Sequence, residues 1–337
     1  MSAFRSALIR PLVAVSLLIA VLLAPDALVA QSTARLPRVG VLVISNAAPN
    51  DTATAGLSQG LRELGYVDGR NVAFEWRDAG GRPERLAPLA VELSQAKVDV
   101  IVAGGPGPLA AVRAATSTIP IVAIASSDPV GGGWARSLAR PGGNVTGFTV
   151  TFPELGSKRL ELLKQALPGV VRVGIVLAPG ELPGGESAQV ARRLTADARS
   201  LGLQTQVFEV RAAADFERAV RDARDARVQA LFTVETTFVV VNRDRLAALA
   251  AQHGLPVIGE FTAFGVEGVL VAYGANLNEL WRRSATTVDR ILKGTPVGDV
   301  PIEQPTKLEL TVNLKAARAL GIAIPQSLLL RADRVVE

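Results

Sequence analysis

Residues 98–148 read VDVIVAGGPGPLAAVRAATSTIPIVAIASSDPVGGGWARSLARPGGNVTGF. Residues 98–103 and 119–125 are short apolar runs, the pattern of strands buried on both faces of a parallel sheet. Between them, residues 109–116 predict a short helix. The stretch thus opens as strand, helix, strand, a unit whose crossover is right-handed. A polar turn follows, then a second helix starting at Pro129 or only at Trp134, a Gly turn, and a strand ending near Phe148. Polar and Gly residues gather where the strands stop, at Gly104-Gly105-Pro106 and at Ser126-Ser127-Asp128. Ligands of open α/β sheets bind beyond the carboxyl ends of the strands. This stretch therefore supplies half of a candidate binding site.

Outward from it the alternation continues in both directions. Before it, residues 38–44 and 71–76 predict strands, and residues 54–64 and 85–96 predict helices. After it, strands are expected at 171–177, 203–208, 228–234, 255–258, 268–274 and 308–312, with helices at 154–167, 187–201, 215–226, 243–253 and 277–292. The tail, through Pro325 to Val335-Val336, is expected to wrap back over the rest. Four landmarks repeat at a nearly constant offset. Val39 matches Val173 at a shift of 134, Leu64-Gly65 matches Leu201-Gly202 at 137, Val98-Asp99-Val100 matches Val228-Gln229-Ala230 at 130, and Ile119-Pro120-Ile121-Val122 matches Leu255-Pro256-Val257-Ile258 at 136. A period this long indicates a duplicated domain rather than a solenoid. The fold class is α/β: two Rossmann-like lobes with parallel sheets, joined by a hinge, with their strand ends facing across a cleft.

Composition removes several chemistries. The 337-residue chain has no Cys, so disulfides, thiolate catalysis and Cys-type zinc sites are absent. A single His (His253) excludes a multi-His metal centre. The net charge of +5 is spread over single Lys and Arg residues, which reads as solvated helix faces and not as a nucleic-acid footprint. Residues 1–30 have the character of a secretory signal. Arg5 and Arg10 precede an apolar run at 11–24, short for a bilayer span, and Ala30 is the best cleavage position, although Leu28 departs from A-x-A. A secreted, periplasmic protein without stable membrane insertion is expected.

Enzyme motifs are weak. The run from Gly105 to Ala110 matches G-x-G-x-x-A, with Asp128 where a ribose-binding acid would sit. The fingerprint ordinarily follows the first strand of its domain; here it follows the third, and Pro106 and Pro108 remove two N–H donors. Gly56-Leu57-Ser58-Gln59-Gly60 matches a nucleophile elbow, but Ser58 falls inside a predicted helix. No catalytic residue, metal or cofactor is assigned. In the second lobe, Glu235-Thr236-Thr237 and Glu260-Phe261 end strands and mirror the first-lobe turns. An α/β enzyme holding a nucleotide in the same cleft is the alternative function.

The runs LGYVDGRNV (64–72), SDPVG (127–131), SLARPGGNVTG (137–147), EQPTK (303–307) and LLLRAD (328–333) together resemble the ABC-transporter substrate-binding proteins of the tryptophan/tyrosine-binding-protein type. The resemblance covers nearly all of residues 36–337. It implies a type I periplasmic-binding-protein fold with three crossovers, a small-molecule ligand in the hinge cleft, and a membrane permease and ATPase as partners. The turns at Ser45-Asn46, Gly104–Pro106 and Ser126–Asp128 fall in the ligand-contact regions of such proteins. Gly105 stands where that turn often carries a hydroxyl residue. The expected ligand contacts are Ser45, Asn46, Gly104, Gly105, Pro106, Ser126, Ser127 and Asp128 from one lobe and Glu235, Thr236, Glu260 and Phe261 from the other. The expected organisation is a signal at 1–30, one lobe from 31–148 and about 272–300, the other from 149–271 and about 301–337, in a monomer that binds no nucleic acid and catalyses no reaction.

Overall fold

The computed structural model describes residues 35–44, 52–126, 128–150, 153–179, 186–234, 236–260 and 268–337. The segment 1–30 and the candidate contacts Ser45, Asn46, Ser127, Glu235 and Phe261 lie outside the described residues. The first sheet holds β1 (Arg38–Val43), β2 (Ala73–Asp78), β3 (Val100–Gly104), β4 (Ile121–Ser126) and β5 (Val145–Thr149), in the order β2-β1-β3-β4-β5 and parallel throughout. The helices α1 (Thr52–Glu63), α2 (Leu86–Gln95) and α3 (Pro106–Ala115) connect its strands. The α2 helix buries Leu86, Leu89, Ala90 and Leu93, the i, i+3, i+4, i+7 stripe that its sequence displays.

The second lobe begins with α4 (Pro153–Ala166) and β6 (Arg172–Leu177). It continues through α5 (Glu186–Ser200), β7 (Gln204–Glu209), α6 (Asp215–Asp225), β8 (Ala230–Thr233), α7 (Thr237–Val241), α8 (Arg243–Gln252), β9 (Val257–Gly259) and β10 (Val271–Gly274). The helix α9 (Leu277–Leu292) then returns to the first lobe, where Leu280, Trp281, Ala285 and Val288 join the core of β1, β3 and β4. Finally β11 (Glu309–Asn313), α10 (Leu314–Ala319), α11 (Gln326–Leu329) and β12 (Arg334–Val336) complete the second sheet, ordered β12-β11-β10-β9-β8-β6-β7. Within it, β11 runs antiparallel to β10.

The duplication read from the sequence is a duplication of strand register. Val39 pairs with Val100 across β1 and β3, and Val173 with Ala230 across β6 and β8. Ile101 pairs with Ile121 in the first lobe, and Leu231 with Val257 in the second. The turns correspond as well. Asp99 Oδ2 accepts from the Arg38 N–H at 2.7 Å, while Gln229 Oε1 accepts from the Val171 and Arg172 N–H groups at 2.8 and 3.0 Å. Lys97 and Arg227, 130 residues apart, both take left-handed backbone, at φ of 53° and 55°.

Three passages of chain join the lobes: from Thr149 to Pro153, from Gly274 to Leu277, and from Val300 to Glu309. Since β10 pairs with both β9 and β11, the second passage falls after Gly274. The third passage is zipped along β5. Thr149 N–H donates to the Glu303 carbonyl at 3.0 Å, Glu303 N–H to Gly147 at 2.8 Å, and Thr146 Oγ1 to Val300 at 2.7 Å. Arg283 on α9 pairs with Glu303 and lies 5.4 Å over the Phe148 ring.

Two expectations change. Residues 128–144 form turns and bends in place of a helix. The Asp128 carboxylate accepts the N–H groups of Val130 and Gly131, each at 3.0 Å, and Gly133 turns left-handed at φ of 68°, so helical bonding never propagates. The turn instead plugs Trp134 into the first-lobe core. Second, Val335-Val336 form β12, a parallel strand on β11, and do not wrap over the lobes. The Gly56–Gly60 run lies within α1, as its pattern indicated, and its two glycines are packing positions. A Cβ on Gly56 would lie 2.7 Å from Asn278 Oδ1, and one on Gly60 2.8 Å from the Ala285 Cβ. The two glycines, one helical turn apart, let α1 seat closely on α9.

Candidate functional site: the facing strand ends

In the first lobe, β3 and β4 carry the described part of the site. Gly104 turns inward: a Cβ there would lie 2.7 Å from Cζ2 of Trp281. Gly105 caps α3 at φ of 102° and donates its N–H to the Ile124 carbonyl at 2.9 Å. Pro106 and Pro108 carry no N–H, and Leu109 N–H is taken by the Gly105 carbonyl at 3.1 Å, so the first turn of α3 is poor in donors for an anion.

At the end of β4, Ala125 is left-handed at φ of 51° and the register with β5 shifts between Ala123 and Ser126. This bulge turns Ser126 into the sheet. Its Oγ donates to the Phe148 carbonyl at 3.0 Å, its carbonyl accepts from Thr149 Oγ1 at 3.1 Å, and the residue is fully buried. The Ser126 hydroxyl thus ties β4 to β5. Asp128 is exposed, with Oδ1 accepting the two turn N–H groups.

The second lobe repeats the arrangement with different chemistry. Thr236 caps α7, its Oγ1 accepting from Val239 N–H at 3.4 Å. Thr237 follows, and its Oγ1 is buried with no hydrogen-bond partner among the described residues. At the end of β9, Glu260 meets Arg159 from α4 at 3.0 Å. Arg159 Nε also donates to the Tyr273 carbonyl on β10 at 3.0 Å. Burial pushes the Glu260 carboxyl up, and the Arg159 charge and hydrogen bond partly offset this.

The two sets of strand ends meet. A Cβ on Gly105 would collide with Thr237 Oγ1 and lie 3.4 Å from the Thr237 Cβ. On the same short helix, Phe238 and Val239 belong to the second-lobe core while Val241 packs against the first-lobe core. Of the sequence-derived candidates, the structure turns Gly104 and Ser126 to the first-lobe interior and commits Thr236 to capping. It brings Gly105 to the interlobe contact, seats Glu260 in an ion pair, and leaves Asp128 at the surface.

Arg159 was not among those candidates, and Thr237 entered only as the last residue of the Glu235-Thr236-Thr237 turn. Arg159 had a signal. It falls four residues after Leu155 and three before Leu162, on the stripe that α4 buries, where a basic side chain requires a partner.

This arrangement, two duplicated α/β lobes with strand ends opposed and three connecting passages, defines a two-lobed binding protein of the type I periplasmic-binding-protein fold. Residues 38–336 match the family described as ABC transporter substrate binding protein, and the chain belongs to it. It is 24% identical over 272 residues to the tyrosine-binding protein of Clostridioides difficile (strain R20291), covering 81% of this chain and 77% of that one. A conserved domain protein from Vibrio cholerae superposes with a TM-score of 0.82 at 28% identity, covering 89% of this chain and all of the other. An ABC domain from Streptococcus pneumoniae in complex with L-Trp superposes at 0.81 with 24% identity and the same coverages. No described helix is long and apolar enough to cross a membrane, and no group of three or more potential metal-ligating His, Cys, Asp or Glu side chains occurs among the described residues.

Proposed function

We propose that the protein captures a small amino-acid-like molecule, or another small carboxylate, between its lobes and delivers it to the permease and ATPase of an ABC importer. The observation that carries this reading is the apposition of equivalent strand-end turns, at Gly105 and Thr237, in a chain of the substrate-binding family. Relatives described as binding tyrosine or L-Trp support an amino acid as the ligand class. In this reading Ser45, Asn46, Ser127 and Asp128 contact the ligand from the first lobe, and Glu235 and Phe261 from the second. Ser126, Thr236 and the Arg159–Glu260 pair hold those turns from behind. Residues 1–30 direct export, the mature chain works as a monomer in the periplasm, and the protein performs no catalysis.

A thermal-shift screen tests this. The panel holds amino acids, aromatic acids, sugars, purines and nicotinamide nucleotides, applied to protein refolded to strip co-purified ligand. A ligand that binds only the folded state at 100 times its Kd stabilises by about 2.7 kcal/mol. A saturable shift with one amino acid is the expected outcome. A shift with nucleotides and none with amino acids would overturn the proposal. The donor-poor first turn of α3 argues against that result.

A further inference from the structure

Gly105 and Thr237 occupy nearly equivalent places in the duplicated lobes. Gly105 is the N-cap of the helix after β3, and Thr237 is the first residue of the helix after β8. These strands correspond in the register described above. The two halves of the site therefore touch directly along their shared pattern, at a point where no side chain fits between them. Two observations set this contact apart from ordinary packing. The Gly105 backbone is left-handed, a conformation glycine adopts freely and other residues resist. The Thr237 hydroxyl is buried against it without a hydrogen-bond partner among the described residues, which is unfavourable for a polar group and is relieved when the lobes separate and water reaches it.

We infer that Gly105 and Thr237 form the stop on which the lobes close: the contact is made in the closed state, broken on opening, and its lack of side-chain thickness sets the spacing of the closed cleft. The inference rests on the binding-protein reading and adds to it which residues limit closure. It also places the ligand. With the β3 and β8 ends in contact, the space for a small molecule lies to either side of them, at the ends of β1 and β6 or of β4 and β9. Any residue larger than glycine at 105 would hold the lobes apart and weaken closure around a small ligand.

The absence of native Cys makes this directly measurable. The 3.4 Å separation between a Cβ on Gly105 and the Thr237 Cβ is close to the about 3.8 Å typical of disulfides. The double variant Gly105→Cys/Thr237→Cys is oxidised with and without L-tryptophan or L-tyrosine, and the trapped fraction is read on non-reducing gels. The expected result is an intramolecular disulfide that forms without added amino acid, and faster with whichever amino acid raises Tm. A folded protein whose thiols stay free under oxidation would overturn the inference. So would an amino acid that raises Tm and leaves the trapping rate unchanged. A panel in which no amino acid raises Tm would count against the amino-acid reading alone, because the disulfide forms without one.

Should Cys at the left-handed position prevent folding, the single variant Thr237→Cys serves. Its thiol reaction rate is compared with that of Val130→Cys, a position 48% exposed. With the open state populated at 10% or less, labelling at 237 slows about tenfold or more. A rate equal to the control, in the presence of whichever amino acid raises Tm or alone if none does, overturns the inference.

Discussion

Arg159 joins the helix that enters the second lobe to two of that lobe's strand ends, giving Nη2 to Glu260 at 3.0 Å and Nε to the Tyr273 carbonyl at 3.0 Å. Both side chains of the pair are nearly buried, at 6% and 13% exposure. Removing Glu260 leaves the buried Arg159 guanidinium without that carboxylate. Glu260→Ala should therefore cost about 3–5 kcal/mol, read as a lower urea midpoint, whereas Arg159→Met/Glu260→Leu should cost far less or nothing. Equal losses in both variants would mean that packing, not the charge pair, is what Glu260 supplies.

The contact of α1 with α9 predicts a graded glycine series. Gly60→Ala forces a methyl onto the Ala285 Cβ and the Arg282 backbone and should cost about 1–3 kcal/mol by overpacking. At Gly169 the backbone is ordinary and a Cβ would meet nothing within 4 Å, so Gly169→Ala should be neutral or stabilise by about 0.4–1 kcal/mol. Thermal melts followed by circular dichroism separate the two.

Tyr66 gives an alkaline signature. Its hydroxyl donates to Asp289 Oδ1 at 2.9 Å, and burial, followed by that hydrogen bond, pushes the phenol up to about 12 from 10.0. Between these values the folded state keeps a proton that the unfolded chain has released. The stability contributed by Tyr66 is thus complete below pH 10 and is lost as pH rises through 12. In Tyr66→Phe the loss of stability above pH 10 should be shallower. Spectrophotometric titration is simple because the chain has two Tyr residues, and the ionisation that Tyr66→Phe removes should be the one near pH 12.

Ser126→Ala separates holding the site from touching the ligand. The substitution leaves the Phe148 carbonyl without its donor and should cost about 1–3 kcal/mol of stability. The affinity for an amino acid found in the thermal-shift screen should not change. A loss of affinity with no loss of stability would instead put the Ser126 hydroxyl against the ligand.

The α/β alternation, the duplication and the places of the strand ends were all legible in the chain, because each rests on local chemistry. Apolar runs of strand length, Gly after helices and the recurrence of Val39 at Val173 survive reading one residue at a time. Even the match of Asp99 with Gln229 carried information, since both side chains accept N–H groups at the start of a neighbouring strand. Where local signals competed, reading failed. Asp128-Pro129 is a good helix start, yet its carboxylate closes a turn that Gly131 and Gly133 then keep from becoming a helix.

The direction in which each polar group points became known only from the folded chain. A one-residue bulge at Ala125 sends the Ser126 hydroxyl into the sheet, and no composition or spacing specifies a bulge. Arg159 and Glu260 are far apart in sequence and meet only because α4 packs across the ends of β9 and β10. Gly105 and Thr237 lie far apart in sequence and meet only where the ends of β3 and β8 come together. The elements and their duplication depend on neighbours along the chain, and so they are written in it. The contacts between lobes depend on how three separate passages of chain bring distant strand ends together, a relation that no single stretch of residues contains.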